Sequence, residues 1–203
     1  MLIRAQDAAL SWGGDDGEHF QLTDGLERDE DALSVGADIF PGARVLEAGL
    51  GSGALSMTLL RAGARVTGYE LRPDFAARAV ANVTGFLGPS VLERYLVEVR
   101  DVYEGIAEKG LDRVVLDLPE PWRAVAHAAE ALRPGGIIVS YLPSISQVTT
   151  LREALTGSGF AMAETIEVLQ RSWHIEGQSV RPDHRMVGHT GFLTGARLMA
   201  VTS

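Results

Sequence analysis

Ala43-Arg44-Val45-Leu46-Glu47-Ala48-Gly49-Leu50-Gly51-Ser52-Gly53 is the stretch whose reading decides the fold. A short aliphatic run passes directly into three glycines at alternate positions. The residues that follow, Ala54-Leu55-Ser56-Met57-Thr58-Leu59-Leu60-Arg61, carry apolar side chains at helical spacing. The segment reads as strand, glycine-rich turn, helix. Glycines suit such a turn because the backbone must reverse sharply and let a ligand approach with no Cβ in the way.

Gly49, Gly51 and Ala54 also satisfy the dinucleotide pattern G-x-G-x-x-[G/A]. Two features turn the reading elsewhere. Gly53 makes the run G-x-G-x-G, and Glu47 stands two residues before the first glycine, where a carboxylate gains nothing beside a pyrophosphate. A carboxylate there suits a cationic ligand, and S-adenosylmethionine carries both an ammonium and a sulfonium. A tight βα turn with no ligand is the competing reading. The next stretch, Ala64-Arg65-Val66-Thr67-Gly68-Tyr69-Glu70, reads as a second strand ending in an acid about twenty residues after the first glycine. A carboxylate so placed accepts hydrogen bonds from both hydroxyls of an adenosine ribose, so Glu70 is the candidate ribose ligand. A merely solvated strand-end glutamate is its alternative.

The net charge of −9 is unevenly spread over the 203 residues. Residues 1–40 hold ten acids and two arginines, and the remaining 163 residues hold 17 acids and 16 bases. The first segment repels phosphate, whereas the nearly neutral body is free to present a basic face. With no cysteine there is no disulfide, thiolate metal site or cysteine nucleophile. No long apolar run reads as a membrane span, and the start lacks a signal peptide's apolar core, so a cytoplasmic protein is expected.

Residues 1–35 are short of periodic apolar positions and read as an acidic arm or small hairpin, leaving 36–203 as the folded domain. A short helix is expected near 29–38 and a turn at Phe40-Pro41-Gly42. Asp74 is expected to cap a helix over 75–87, and a third strand over 96–100 ends at Asp101. Asp101 is a candidate acceptor for the exocyclic amine of a cofactor adenine, with a loop-capping role as the rival. Ser52, Leu71 and Val102, beside these groups, and Asp117 at the end of the fourth strand complete the cofactor set. The fourth strand, from Asp112, runs into Leu116-Asp117-Leu118-Pro119-Glu120-Pro121-Trp122. A helix over 122–132 and a turn at Arg133-Pro134-Gly135-Gly136 precede a fifth strand over 137–142. A helix over 146–156 follows, and the tail from 162 to 202 shows two more strand-like runs. Strands alternating with helices argue for an α/β fold, a mostly parallel seven-stranded sheet with an antiparallel C-terminal edge hairpin.

The order Glu47 to Gly53, Glu70, Asp101, Asp117, then Leu132 to Gly136, resembles the Rossmann-like class I S-adenosylmethionine-dependent methyltransferases. Three stretches narrow the resemblance to the tRNA adenine-N1-methyltransferases that modify the T-loop. They are Leu116 to Trp122, Tyr141-Leu142-Pro143-Ser144-Ile145-Ser146-Gln147-Val148, and Arg181-Pro182-Asp183-His184-Arg185-Met186-Val187-Gly188-His189-Thr190-Gly191-Phe192-Leu193. The resemblance implies that Asp117 contacts the target base and that Tyr141 lines its pocket. It also implies tRNA as partner and a homo-oligomer, a tetramer in the family. Trp122 is a candidate stacking partner for the base, or else a core residue. Arg181, Arg185 and His189 are candidate RNA contacts within a segment that also holds Arg171 and Arg197. Arg181 and Arg185 are equally readable as braces of a loop or subunit interface. The histidines lack convincing zinc spacing, and no metal is expected.

The family's separate N-terminal β-domain has no evident counterpart before the first strand. Its Tyr-Pro-Lys-Asp stretch is replaced here by Glu27-Arg28-Asp29-Glu30-Asp31-Ala32. Two acceptors therefore stay open: an adenine of tRNA, or a small molecule, nucleoside or peptide methylated by the same fold. A non-catalytic partner subunit and a nicotinamide dehydrogenase are the remaining readings.

Overall fold

The computed structural model describes residues 33–34, 36–169, 171–184, 188–189 and 191–200. The expected acidic arm lies outside these residues, save its last positions. Of the helix expected near 29–38, helical backbone is present at Leu33, Ser34 and Gly36.

The chain then alternates as the apolar runs imply: β1 (Arg44–Ala48), α1 (Ala54–Arg61), β2 (Arg65–Glu70), α2 (Pro73–Leu87), β3 (Tyr95–Val99) and β4 (Leu111–Asp117). There follow α3 (Val125–Ala131), β5 (Leu132–Leu142), α4 (Ile145–Gly157), β6 (Phe160–Glu167), the short pair β7 (Trp173–Glu176) and β8 (Ser179–Pro182), and β9 (Phe192–Leu198). Seven strands form one sheet in the order β3-β2-β1-β4-β5-β9-β6, while β7 and β8 pair separately. The strands from β3 to β5 are mutually parallel, and β9 runs antiparallel between β5 and β6.

Why these strands are continuous apolar runs is visible in where their side chains go. Leu46 of β1, Val114 and Leu116 of β4 and Ile138 of β5 enter one core, under Val125 and Ala128 of α3 and Leu151 and Leu155 of α4. Val45, Val115 and Val139, one position out of phase, enter a second core under Leu55 and Leu59 of α1 and Val83 of α2. Successive side chains of a strand alternate in direction, so a strand covered on both faces must be apolar throughout. Each such buried aliphatic side chain contributes about 1.5–3 kcal/mol against exposure. The two cores make a three-layer sandwich whose sheet edges present loops for chemistry.

Four local expectations are corrected. Asp74 does not cap α2: Arg72 is the N-cap residue, Pro73 takes the first helical position with its φ already set, and Asp74 sits in the first turn without a capping bond. The helix expected over 122–132 starts as a 3₁₀ turn, Pro121–Ala124, because prolines bracket its entry, and becomes α-helical only from Val125. Arg133-Pro134-Gly135-Gly136 is not a turn preceding β5 but an irregularity within it. Leu132 pairs with Leu111, and pairing then resumes at Ile137 with Arg113. The tail holds four strands, not two, since β7 and β8 form their own hairpin.

Arg113 explains how the chain before β1 is fastened. Its side chain is buried on β4 and donates to the carbonyls of Ala37, Asp38 and Asp112 and to the Asp38 carboxylate. Removal from water holds its pKa below the usual arginine value, opposed by the charge of Asp38.

Candidate active site

In a parallel α/β sheet a crevice opens where neighbouring strands send their connections in opposite directions. Here that point is the carboxyl end of β1, flanked by β2 and β4. The glycine turn sits there. Gly49 donates its N–H to the Tyr69 carbonyl at 3.1 Å, and its φ of +91° is one that side chains rarely adopt. Gly51, also at positive φ, has nothing within 4 Å of where a Cβ would stand, so the turn faces open space. Gly53 precedes the first residue of α1, and Ser52 is exposed, its carbonyl held by Asn82 of α2 at 2.9 Å.

Glu47 lies beneath the turn, fully buried. Its Oε2 accepts the Ser56 hydroxyl at 2.6 Å, and Ser56 Oγ in turn lies 3.0 Å from the Tyr95 hydroxyl. Burial, and then the charge of Glu47, raise the Tyr95 pKa far above its ordinary value. Tyr95 is therefore a neutral phenol and can donate to Ser56, which donates to Glu47. Ser56 and Tyr95 escaped the sequence reading because the link spans 39 positions and belongs to no local pattern.

Glu70 ends β2 beside this turn, 7% exposed. One oxygen accepts the Arg72 N–H at 3.0 Å and the other faces the Gly51 N–H at 3.4 Å. Leu71, next to it, is 63% exposed, an apolar side chain held out over the same rim. Asp101 follows β3, and its Oδ1 accepts the Tyr103 N–H at 2.8 Å, so it caps the 3₁₀ turn Val102–Glu104. The rival capping role thus holds for one of its oxygens. Val102 is buried in the core below.

The other wall comes from β4 and β5. Asp117 is the last residue of β4, exposed, and pairs in register with Tyr141. The loop after Asp117 is braced by two residues, Tyr103 and Gln147. Glu120 donates its N–H to Tyr103 Oη at 3.3 Å, Arg123 lies 4.2 Å over the Tyr103 ring, and Gln147 donates to the Pro119 carbonyl at 3.1 Å. None of these braces was signalled by sequence. Trp122 is half-buried and packs against the main core.

Not every candidate gathers at this rim. Arg181 lies on β8, where it donates to Ser179 Oγ at 2.7 Å. Arg197, on β9, donates to the Gly135 carbonyl at 2.6 Å, bracing the irregularity in β5. Arg185 falls outside the described residues. His189 is exposed, with its two ring nitrogens against Glu167 and the Pro143 carbonyl. Among the described residues no three His, Cys, Asp or Glu side chains group to hold a metal, and no helix is long and apolar enough to cross a membrane.

The arrangement fits a cationic adenosyl ligand. It offers open backbone at Gly51, carboxylates from Glu70 and Asp117 on either side, and a buried carboxylate underneath. The family model described as "tRNA methyltransferase complex GCD14 subunit" matches residues 29–181. The tRNA (adenine(58)-N(1))-methyltransferase TrmI of Thermus thermophilus is 38% identical over 173 residues, covering 84% of this chain and 67% of that protein. The tRNA (adenine(57)-N(1)/adenine(58)-N(1))-methyltransferase TrmI of Methanocaldococcus jannaschii is also 38% identical, over 199 residues, covering 85% and 71%. Among solved structures, tRNA (m1A58) methyltransferase TrmI of Aquifex aeolicus superposes with TM-score 0.78 at 27% identity, covering 86% of this chain and 69% of that one. A S-adenosylmethionine-dependent O-methyltransferase of Thermotoga maritima superposes with TM-score 0.81 at 32% identity, covering 87% and 66%. The chain spans about two thirds of the length of these relatives.

Proposed function

The chain belongs to the tRNA methyltransferase complex GCD14 subunit family, and on that premise we propose that it methylates N1 of an adenine in the T-loop of tRNA, using S-adenosylmethionine. The observation that carries this reading is the pairing of Asp117 with Tyr141 at the ends of adjacent strands, next to the glycine turn. One group there accepts hydrogen bonds and the other offers an aromatic face.

Bound S-adenosylmethionine supplies a methyl group on a positively charged sulfur. Glu70 would hold the ribose, Asp101 and Leu71 would receive the adenine, and Gly49 to Gly53, over Glu47, would receive the methionine part. Adenine N1 carries its own lone pair, so the protein has to place the base in line and need not remove a proton first. Asp117 accepts from the N6 amine of the target base. That contact strengthens as the ring becomes cationic, which is where electrostatic help lowers the barrier. Tyr141 stacks on the extruded base, replacing the neighbours it loses on leaving the T-loop.

A second copy of the chain completes the assembly. In the β7–β8 hairpin, Trp173, Ile175 and Val180 are each more than half exposed. Trp173 and Ile175 share one face with their partners Pro182 and Val180. A lone two-stranded sheet is marginal in water, and an apolar face of this kind is stabilised by burial between subunits. The enzyme then works in the cytoplasm as a homo-oligomer.

The test is incubation with radiolabelled S-adenosylmethionine and unmodified tRNA, followed by nucleoside chromatography. Label should elute as 1-methyladenosine and vanish in Asp117→Ala. Cofactor binding with no labelled nucleoside would move the acceptor outside tRNA, to a small molecule, nucleoside or peptide.

A further inference from the structure

His189 occupies an unusual position at the end of the sheet. Its Nδ1 lies 2.5 Å from Glu167 Oε1 and its Nε2 lies 2.8 Å from the Pro143 carbonyl oxygen. Both partners accept hydrogen bonds and neither can donate one. A neutral imidazole has a single N–H and satisfies only one of them, so the contact set requires the imidazolium. Three elements meet at this ring. Glu167 ends β6, Pro143 follows the end of β5, and Phe192 begins β9 with its ring centroid 4.9 Å from that of His189. Among the described residues, Glu167 is the charged group that faces His189; the β5 side contributes a carbonyl and the β9 side an aromatic ring.

Two residues on, the backbone of Gly191 lies against Tyr141. A Cβ at residue 191 would meet Cζ of the Tyr141 ring at 2.4 Å and its hydroxyl oxygen at 2.6 Å. The stretch that His189 fastens therefore sets where the Tyr141 ring can stand.

We propose that His189 is a positioning residue: as an imidazolium it ties its own segment across the ends of β5 and β6, next to Gly191, and so fixes Tyr141 as the wall of the acceptor pocket. The assignment of that pocket rests on the function proposed above; the clasp itself does not. When the ring loses a proton, either Glu167 or Pro143 faces a nitrogen lone pair, the clasp opens on that side, and Tyr141 gains freedom.

The bond to Glu167 first, and that to Pro143 second, raise the His189 pKa from its ordinary 6.5. A raised folded-state value means the clasp is fully present below 6.5 and is lost as pH rises through the folded value. The alkaline side is where the effect must appear.

The closing experiment is a pH titration of the full chain by NMR, reading the imidazole nitrogens and the Tyr141 ring, with His189→Gln assigning the histidine. At about pH 6.5, where a free histidine is half charged, more than half of His189 should show the imidazolium signature on both nitrogens. On raising the pH, the Tyr141 resonances should move with the His189 titration. In His189→Lys, a cation that keeps its charge to about pH 10, they should hold their low-pH positions throughout. Gly191→Ala should displace the Tyr141 ring at every pH. In turnover, KM for tRNA should rise roughly tenfold over the same interval, the scale of one charge-assisted hydrogen bond, and should do so far less in His189→Lys. A His189 that titrates at or below the ordinary 6.5, or a Tyr141 signal indifferent to its titration, would overturn the clasp. Absence of methylated tRNA at every pH leaves the NMR readout intact and counts against the acceptor alone.

Discussion

Gly49 and Asp117 meet main chain to main chain: a Cβ at residue 49 would come within 2.2 Å of the Asp117 carbonyl oxygen. The first glycine of the turn is thus the point at which β1 and β4 bring together the proposed cofactor and acceptor ends of the site. Gly49→Ala must push one of them aside and must also adopt a φ of +91°. The expected cost is about 1–3 kcal/mol of stability, with a loss of cofactor affinity from a chain that still folds. Calorimetry and urea unfolding on the same preparation check it, and full affinity in that variant would remove the contact from the account.

Glu70 offers a cleaner separation of binding from folding. Its carboxylate organises the Gly51 and Arg72 N–H groups from the rim of the sheet, so Glu70→Gln keeps the shape while weakening the acceptor. S-adenosylmethionine affinity should fall roughly tenfold to a hundredfold, the worth of hydrogen bonds to a charged group. Methionine alone, which has no ribose, should not discriminate between the two proteins. An equal loss for both ligands would mean that Glu70 shapes the turn and does not touch the sugar.

The buried chain Tyr95, Ser56, Glu47 predicts a ranking. Ser56→Ala strips a donor from a carboxylate with no exposed surface and should cost about 1.5–3 kcal/mol. Tyr95→Phe removes a bond between neutral groups and should cost about 1 kcal/mol. Urea denaturation gives both numbers. The reverse order would show that Tyr95, not Ser56, carries the support of Glu47.

Some parts of this architecture were legible in the chain and others were not, for physical reasons. The β1 turn and α1 declare themselves because a double-faced strand must be apolar throughout and the glycines follow without a gap. The irregularity at 133–136 reads as a turn because proline and two glycines break a strand locally. Only the pairing of Leu132 with Leu111 on one side and Ile137 with Arg113 on the other keeps it within β5. The hairpin of β7 and β8 was missed because strands of four residues carry too little alternation to register. In the site, acids at strand ends were findable by position. The bonds behind them, Ser56 to Glu47 and Tyr103 to the loop after Asp117, depend on tertiary contact and leave no periodic trace. His189 was visible as one of a basic cluster, yet its two acceptors come from β6 and from the loop after β5, which only the folded sheet brings together.

Arg113 predicts a defect far from the site. Replacing it with alanine leaves the carbonyls of Ala37 and Asp38 without their donor in a buried setting. A loss of about 3 kcal/mol is expected, and protease cleavage ahead of β1 should accelerate in step. Cofactor affinity, measured below the melting transition, should change little because the opposite ends of the strands carry it.

Asp112 sets the acid limit of the fold. Its Oδ2 accepts the Arg44 N–H at 2.8 Å and its Oδ1 accepts Arg133 Nε at 2.6 Å, so one carboxylate ties together the starts of β1, β4 and β5. Burial works to raise its pKa, but the Arg44 N–H and the Arg133 guanidinium outweigh burial and hold it below the ordinary 3.8. For an acid with a lowered folded value, the stabilisation is present above 3.8 and is lost as pH falls through the folded value. Asp112→Asn should therefore be less stable than the parent at about pH 7, and the gap should close as pH falls from 3.8 through the folded value, where the parent too loses its charge. Urea unfolding at both ends of that range decides the matter. A gap that stays constant would trace the loss to shape and hydrogen bonding alone, and a gap that widens toward acid would reverse the sign and sink the assignment.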